Sequence, residues 1–308
     1  MTDDPLSRCR VVPLPDYQVS LQVDGTERLR WHYGPQYPRP FFYPLVGPSG
    51  HSLTRMGHPG APDHEHHRSI WFAHNDVVGT DFWSDQTAAR IRQLDWLCYE
   101  DGESEARLAV RLGWFDGHDP QMLVEQEVLV AVQPLEQGET AVELAFTFRP
   151  VAERLEFGKT NFGFLGVRVA KSISVHFGGG ALVSSEGGSG EPALFEQRAR
   201  WVDYSGLVGT RAKAESEGIT YFDHAANPGY PAGWHVREDG WMIAAPCMQG
   251  PLVAVRDAPW TLRYLLHAHR GALDVARANA LAREFDSRAP LRVVPAEVPH
   301  TRYRFERG

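Results

Sequence analysis

Cysteine is scarce in this chain. Cys9, Cys98 and Cys247 form no CxxC pair, and an odd total of three argues against a disulfide framework and for a reducing compartment. Long apolar runs are missing as well, since nowhere do the ~18 consecutive apolar residues of a spanning helix occur. The opening residues, MTDDPLSRCRVVPLPDYQ, have neither the basic nor the apolar region of a secretory signal, so the expected location is cytoplasmic, with no membrane partner. No Lys/Arg run forms a phosphate-tracking stripe, and the net charge of −8 makes nucleic acid an unexpected partner. A G-x-S-x-G elbow, a P-loop and a G-x-G-x-x-G after a strand are all lacking, so no nucleotide cofactor is expected, and no motif marks Cys98 or Cys247 as a nucleophile.

Histidine and tryptophan are what the chain has in plenty, 14 and nine residues, and the histidines are clustered. Apolar and polar residues alternate with period two along Tyr17–Val23, Leu108–Trp114, Val124–Val132 and Val142–Phe148, separated by turn signals such as Asp24-Gly25, Asp116-Gly117 and Gln137-Gly138. Consecutive strands joined by short turns give antiparallel meanders. The spacing therefore predicts an all-β chain, a large antiparallel β-sandwich with few short helices, spanning residues 1–308 as one domain. The main helix expected is Leu273–Phe285. The Gly178–Gly180 and Ser184–Gly190 stretches read as loops inside the domain rather than as a linker.

Three segments carry the groups from which a site could be built. In His58–Trp83, five histidines fall within 17 residues beside Asp63, Glu65, Arg68, Asp76 and Asp81. Imidazoles tuned by carboxylates suit proton transfer near neutral pH. If His64 and His66 are extended they share a face, and an H-x-H pair completed by Asp63, Glu65 or a distant His could chelate a divalent metal; the helical H-E-x-x-H motif is absent. The second segment, Ile219–Trp241, holds Asp223, His224, Asn227, His235 and Arg237 among rigid turns. In the third, Trp260–Gly271, alternation puts Arg263, Leu265, His267 and His269 on one face and Trp260, Leu262, Tyr264 and Leu266 on the other. Lys159, Asn161, Arg168 and Glu186 are weaker signals, while Trp71, Trp83, Trp201 and Trp234 offer flat apolar walls. For any single one of these histidines, a hydrogen bond to loop backbone is the blander role.

The motifs DHEHHRSIWFAHNDVVGTDFW, KTNFGFLGVRVA, SSEGGSG, WVDYSG, FDHAANPGYPAGWHVR and LRYLLHAHRG resemble those of a bacterial family of uncharacterised proteins labelled PmoA-like or methane oxygenase, over most of the chain. The resemblance implies a sandwich similar to the galactose-mutarotase superfamily, whose sites use histidines and a carboxylate on sugars. Residues and resemblance together point to a carbohydrate-active enzyme of epimerase, lyase or hydrolase type acting on a small sugar-like molecule. The catalytic candidates are His66, His67, His235, Asp76, Asp223 and Glu186; the substrate-binding candidates are Arg68, His74, Trp83, His224, Arg237 and His267. On this reading, loss of His67 should cost turnover far more than stability. A metal-dependent oxygenase built on His64, His66 and Asp76 or His224 is one alternative, and a non-catalytic sugar-binding sandwich is another. All of these mechanisms assume that the three histidine clusters meet.

Overall fold

The computed structural model describes residues 6–58, 60, 61 and 64–308. About 51% of the chain is strand and 8% helix, which places it in the all-β class that the alternation predicts. Among the described residues, most strands form two eight-stranded antiparallel sheets, with two further two-stranded pairs. Across the first sheet the order is Cys9–Leu14, Gln18–Val23, Thr26–His32, Phe41–Leu45, Ile70–His74, Gly163–Arg168, Trp241–Ala245 and Gly233–Arg237. The second begins as a meander, Arg90–Glu100, Ala106–Phe115, Val124–Pro134 and Thr140–Pro150, and continues through Trp260–Arg270, Lys213–Asp223, Trp201–Thr210 and Ala181–Ser184.

The alternating side chains explain why the sheets stack. Leu108, Val110, Leu112 and Trp114 join Val128, Val130, Val132, Val142, Leu144, Phe146 and Phe148 in one buried cluster with Ile70, Phe72, Leu165 and Val167 of the first sheet. Burying each large apolar side chain contributes about 1.5–3 kcal/mol. Across the gap the Phe72 ring stacks on Phe146 at 4.1 Å, and the Tyr221 hydroxyl donates to the Leu165 carbonyl at 3.2 Å. Tyr17 departs from the predicted alternation: it sits exposed, at φ 60°, in the turn before its strand. The Asp24-Gly25 turn has positive φ at both residues, as a tight two-residue hairpin requires. The Ser184–Gly190 stretch closes a tight turn, with the Ser184 amide donating to the Gly188 carbonyl, and so continues the sheet.

The outer faces are covered differently, and this difference positions the site. Helix Val275–Ser287, capped by the Asp274 carboxylate on the Arg277 amide, lays Ala278, Ala282 and Phe285 over Trp201, Phe222 and Leu265 of the second sheet. The hairpin Leu291–Pro295 and Tyr303–Arg307 covers Ala109, Leu129 and Ala145 beside it. Over the first sheet lies the histidine-rich loop instead. Among the described residues no helix is long and apolar enough to cross a membrane.

Gly166 sits on the outer face of the first sheet, paired with Trp71 on one side and Ile243 on the other. A Cβ built there would lie 2.6 Å from the Trp71 indole. Gly166→Ala should therefore cost about 1–3 kcal/mol of unfolding free energy by overpacking and alter tryptophan fluorescence, both measurable by urea titration.

Candidate functional site

The histidine loop does not continue the strand that follows it. Residues 64–66 form a helical turn, closed by the His67 amide on the His64 carbonyl at 3.1 Å, so the expected extended H-x-H pair is corrected. The rings of His64 and His66 nevertheless stack, 6.0 Å apart and 22° from parallel. Ser69 then takes φ 56°, an unfavourable conformation for a side-chain-bearing residue. It is held there by its hydroxyl on Thr54 Oγ1 at 2.8 Å, its amide on the Arg55 carbonyl, and its own carbonyl, which accepts from the Arg168 amide. This bend folds the loop back over the outer face of the sheet, bringing His67 onto Trp71.

The result is a floor of rings. His67 lies within 22° of parallel to both Trp71 and Trp241, at 5.1 and 4.7 Å. Trp83 closes on Trp71 at 5.1 Å, and His235 meets Trp241 at 4.4 Å and Phe162 at 5.1 Å. His67, His235 and the three tryptophans are all buried. Burial disfavours the imidazolium form. It pushes His235 down to about 4, against the opposing pull of the Asn161 carbonyl, and His67 is held far below the usual range by burial and by its histidine neighbours. Both rings are thus neutral at physiological pH. His235 Nδ1 donates to the Asn161 carbonyl at 3.1 Å, since a carbonyl can only accept, and this leaves Nε2 as a buried lone pair. Among the described residues, four buried polar atoms of this floor have no hydrogen-bond partner: His67 Nδ1, His235 Nε2, Trp71 Nε1 and Trp83 Nε1. Native interiors seldom leave such groups unpaired without a functional reason or a bound molecule.

Polar groups form the rim. Half-buried His58 donates from Nε2 to Asp239 Oδ2 at 2.6 Å, and fully buried Arg168 grips the same carboxylate at 3.1 and 3.3 Å. Burial would raise the Asp239 carboxyl, but Arg168 and His58 outweigh it and hold it below its ordinary value. His64 stands beside His58 at 5.6 Å, and His66 meets His67 at 4.2 Å. Arg68, expected to hold substrate, pairs closely with Asp85, which also faces buried Arg39, and packs over the Tyr37 ring. Arg237 pairs with Glu191 at 2.8 Å and lies 4.6 Å over Phe195, beside His235.

Of the expected residues, His64, His66, His67, Arg68, Trp83, His235 and Arg237 thus share one face. The others lie elsewhere, so the three histidine clusters do not converge. His74 points into the inner core against Phe157 and Phe164. Asp76 caps a turn through the Gly79 amide. Glu186 is exposed and pairs with Arg200. Trp201 and Trp234 are sealed in the cores rather than serving as walls. Asp223 accepts from Asn227 and the Ala232 amide, and His224 meets Arg263, both at the second sheet. There His267 and His269 follow the predicted alternation, but their face is roofed by the Val275–Ser287 helix. His267 donates to Glu139, which also holds Arg277 of that helix, and His269 donates to Asp203. Among the described residues no three His, Cys, Asp or Glu side chains are grouped as a metal ion requires; Asp63, a sequence candidate for the third ligand, lies outside them.

Sequence reasoning missed Asp239 and Trp241. The signal was present: Glu238-Asp239-Gly240 is a hairpin turn, and reading it as one pairs Arg237 with Trp241 and leaves Asp239 at the tip.

Two outcomes follow from this geometry. Because His67 is buried between indoles, His67→Ala should cost about 3 kcal/mol of stability, contrary to the sequence expectation; equilibrium denaturation measures it. Burial alone would raise Glu139, but His267 and the Arg270 amide hold it at about 2 against an ordinary 4.5. A depressed carboxyl stabilises fully above its unfolded value, so this contribution is lost as pH falls from 4.5 through about 2. Glu139→Gln should lower stability at pH 7 and flatten the acid limb over that window, as read by urea unfolding at several pH values.

No curated protein matches the chain. Solved structures with a similar course include the 4-alpha-glucanotransferase of Thermococcus litoralis, 11% identical over 86% of this chain and 40% of that one, TM-score 0.33. A protein described as a mutarotase from Salmonella typhimurium aligns at 11% identity over 87% of this chain and 96% of its own, TM-score 0.34. One described as a kojibiose phosphorylase from the human microbiome aligns at 10% identity over 91% of this chain and 36% of its own, TM-score 0.31. The chain therefore spans well under half the length of the first and third of these. The PmoA-like, methane-oxygenase label suggested by the motifs finds no support in these matches. A family of unknown function, DUF6807, matches residues 18–283, and the chain belongs to that family.

Proposed function

We propose that the outer face of the first sheet binds a small sugar-like molecule and that the protein acts on it by acid-base chemistry, as an epimerase, lyase or hydrolase. The observation that carries this reading is the ring floor with its unpaired buried nitrogens, set beside half-buried imidazoles. Indole and imidazole rings present flat apolar area with polar edges, which matches the mixed faces of a pyranose. Imidazoles that remain accessible supply groups able to exchange protons near neutral pH. The proton-transfer role moves from His67 and His235, which stay neutral inside the floor, to the rim. There His66 is the sequence candidate that remains half-buried. Arg68 and Trp83 bound the face that the substrate would contact.

A panel of free aldoses, ketoses and simple glycosides, followed by proton NMR in deuterated water, tests the proposal. The expected result is conversion of at least one sugar, reduced at least tenfold in His66→Gln with the thermal midpoint unchanged. If no member of the panel binds or changes, the reading is wrong.

A further inference from the structure

At one corner of the ring floor, hydrogen-bond donors outnumber acceptors. Arg39, from the segment ahead of Phe41, donates from Nη2 to the Ser84 carbonyl at 2.9 Å, directly beside Trp83. Its Nη1 lies 3.1 Å from Asp85 Oδ1, near enough to pair charges but not aligned as a hydrogen bond. Arg68 spends Nη2 on the other oxygen of Asp85 and rests 5.3 Å over the Tyr37 ring. Two guanidiniums therefore share one carboxylate. Asp81, the next carboxylate along the chain, has its Oδ1 taken up by the Trp83 and Ser84 amides. Burial pushes Arg39 down to about 10 against the pull of Asp85, so it is still a cation at pH 7. Among the described residues, Arg68 Nη1, Trp71 Nε1 and Trp83 Nε1 remain as buried N–H groups without an acceptor. Guanidinium and indole nitrogens can only donate, so what this corner lacks is an acceptor.

We propose that this corner is a carboxylate subsite, and that the sugar accepted by the face is an acidic one whose carboxylate is held by Arg68 and by the Trp83 indole N–H. The inference rests on the sugar reading above and names its substrate class. A carboxylate offers two oxygens in the plane of a guanidinium fork and keeps lone pairs for a further N–H, which a neutral hydroxyl does not. Its charge also answers the second guanidinium, which Asp85 alone leaves without an anion of its own. Access comes from the Arg68 side. The Arg39 side chain is sealed at 2% exposure, whereas those of Arg68 and Asp85 keep 13% and 26%. Arg39 thus secures Asp85 from behind, and Arg68 stands between Asp85 and solvent with Nη1 unspent.

The test uses the full chain and the sugar converted in the panel, presented in four forms: the parent sugar, the uronic acid made by oxidising its terminal hydroxymethyl group, the amide of that acid as a neutral isostere, and the phosphate ester at the same position. The acid should be converted with a kcat/KM at least ~10-fold above that of the parent and of the amide, and the phosphate ester should not exceed the parent. In Arg68→Gln the ratio of kcat/KM for acid over amide should fall to near one. Trp83→Phe keeps a ring and removes only the N–H, so it should lower that ratio several-fold, and it carries the test alone if urea unfolding shows Arg68→Gln to be misfolded. An acid no better than its amide, a phosphate ester preferred to the acid, or a ratio that neither variant lowers overturns this inference and leaves the sugar reading standing. Absence of any conversion in the panel removes both.

Discussion

The outer face of the first sheet depends on a stack of rings, Trp71, His67 and Trp241, packed across a strand that carries only Gly166 at their level. Any side chain there would displace the Trp71 indole, and without that indole His67 would lose one of its two flat neighbours. His67 in turn packs against the rings of His64 and His66 at the rim. One absent methyl group thus leaves room for the indole on which His67 stacks.

Burial divides the histidines of this face into two kinds. His67 and His235, enclosed by indoles, give up their capacity for charge and act as neutral, shaped parts of the floor. His58, half-buried at the rim, instead donates to the Asp239 carboxylate. The same residue type therefore stands both inside the floor and at its rim, and the difference lies in solvent access and a single carboxylate. At the second sheet the polar residues are consumed otherwise. His267 and His269 are each bonded to a buried carboxylate, Glu139 and Asp203, beneath a helix that Arg277 pins down, so that network docks a helix on a polar sheet face.

The strands and their facing were legible because period-two alternation responds only to which side of a strand is buried, a local property of consecutive residues. Leu108 to Trp114 and Val142 to Phe148 enter the core as their spacing dictates. The split faces of Trp260–Arg270 were legible for the same reason, as was the helix near its C-terminal end. Tyr17 was not, because a left-handed turn residue carries no signature in its side chain.

By itself the sequence determined the all-β class, the antiparallel meanders and the concentration of imidazole and indole in the His58–Trp83 segment, since each follows from residue type and near-neighbour spacing. Which histidines meet was decided only by the tertiary structure. His235 joins the His58–His67 loop because its strand pairs beside Trp241, whereas His224 and His267, equally polar in sequence, lie on the other sheet. Asp239 acquires its place from a hairpin tip and its charge from Arg168, a residue 71 positions away. Contacts of that range depend on strand order across the sheet, and strand order is set by the packing of the whole core rather than by any local pattern.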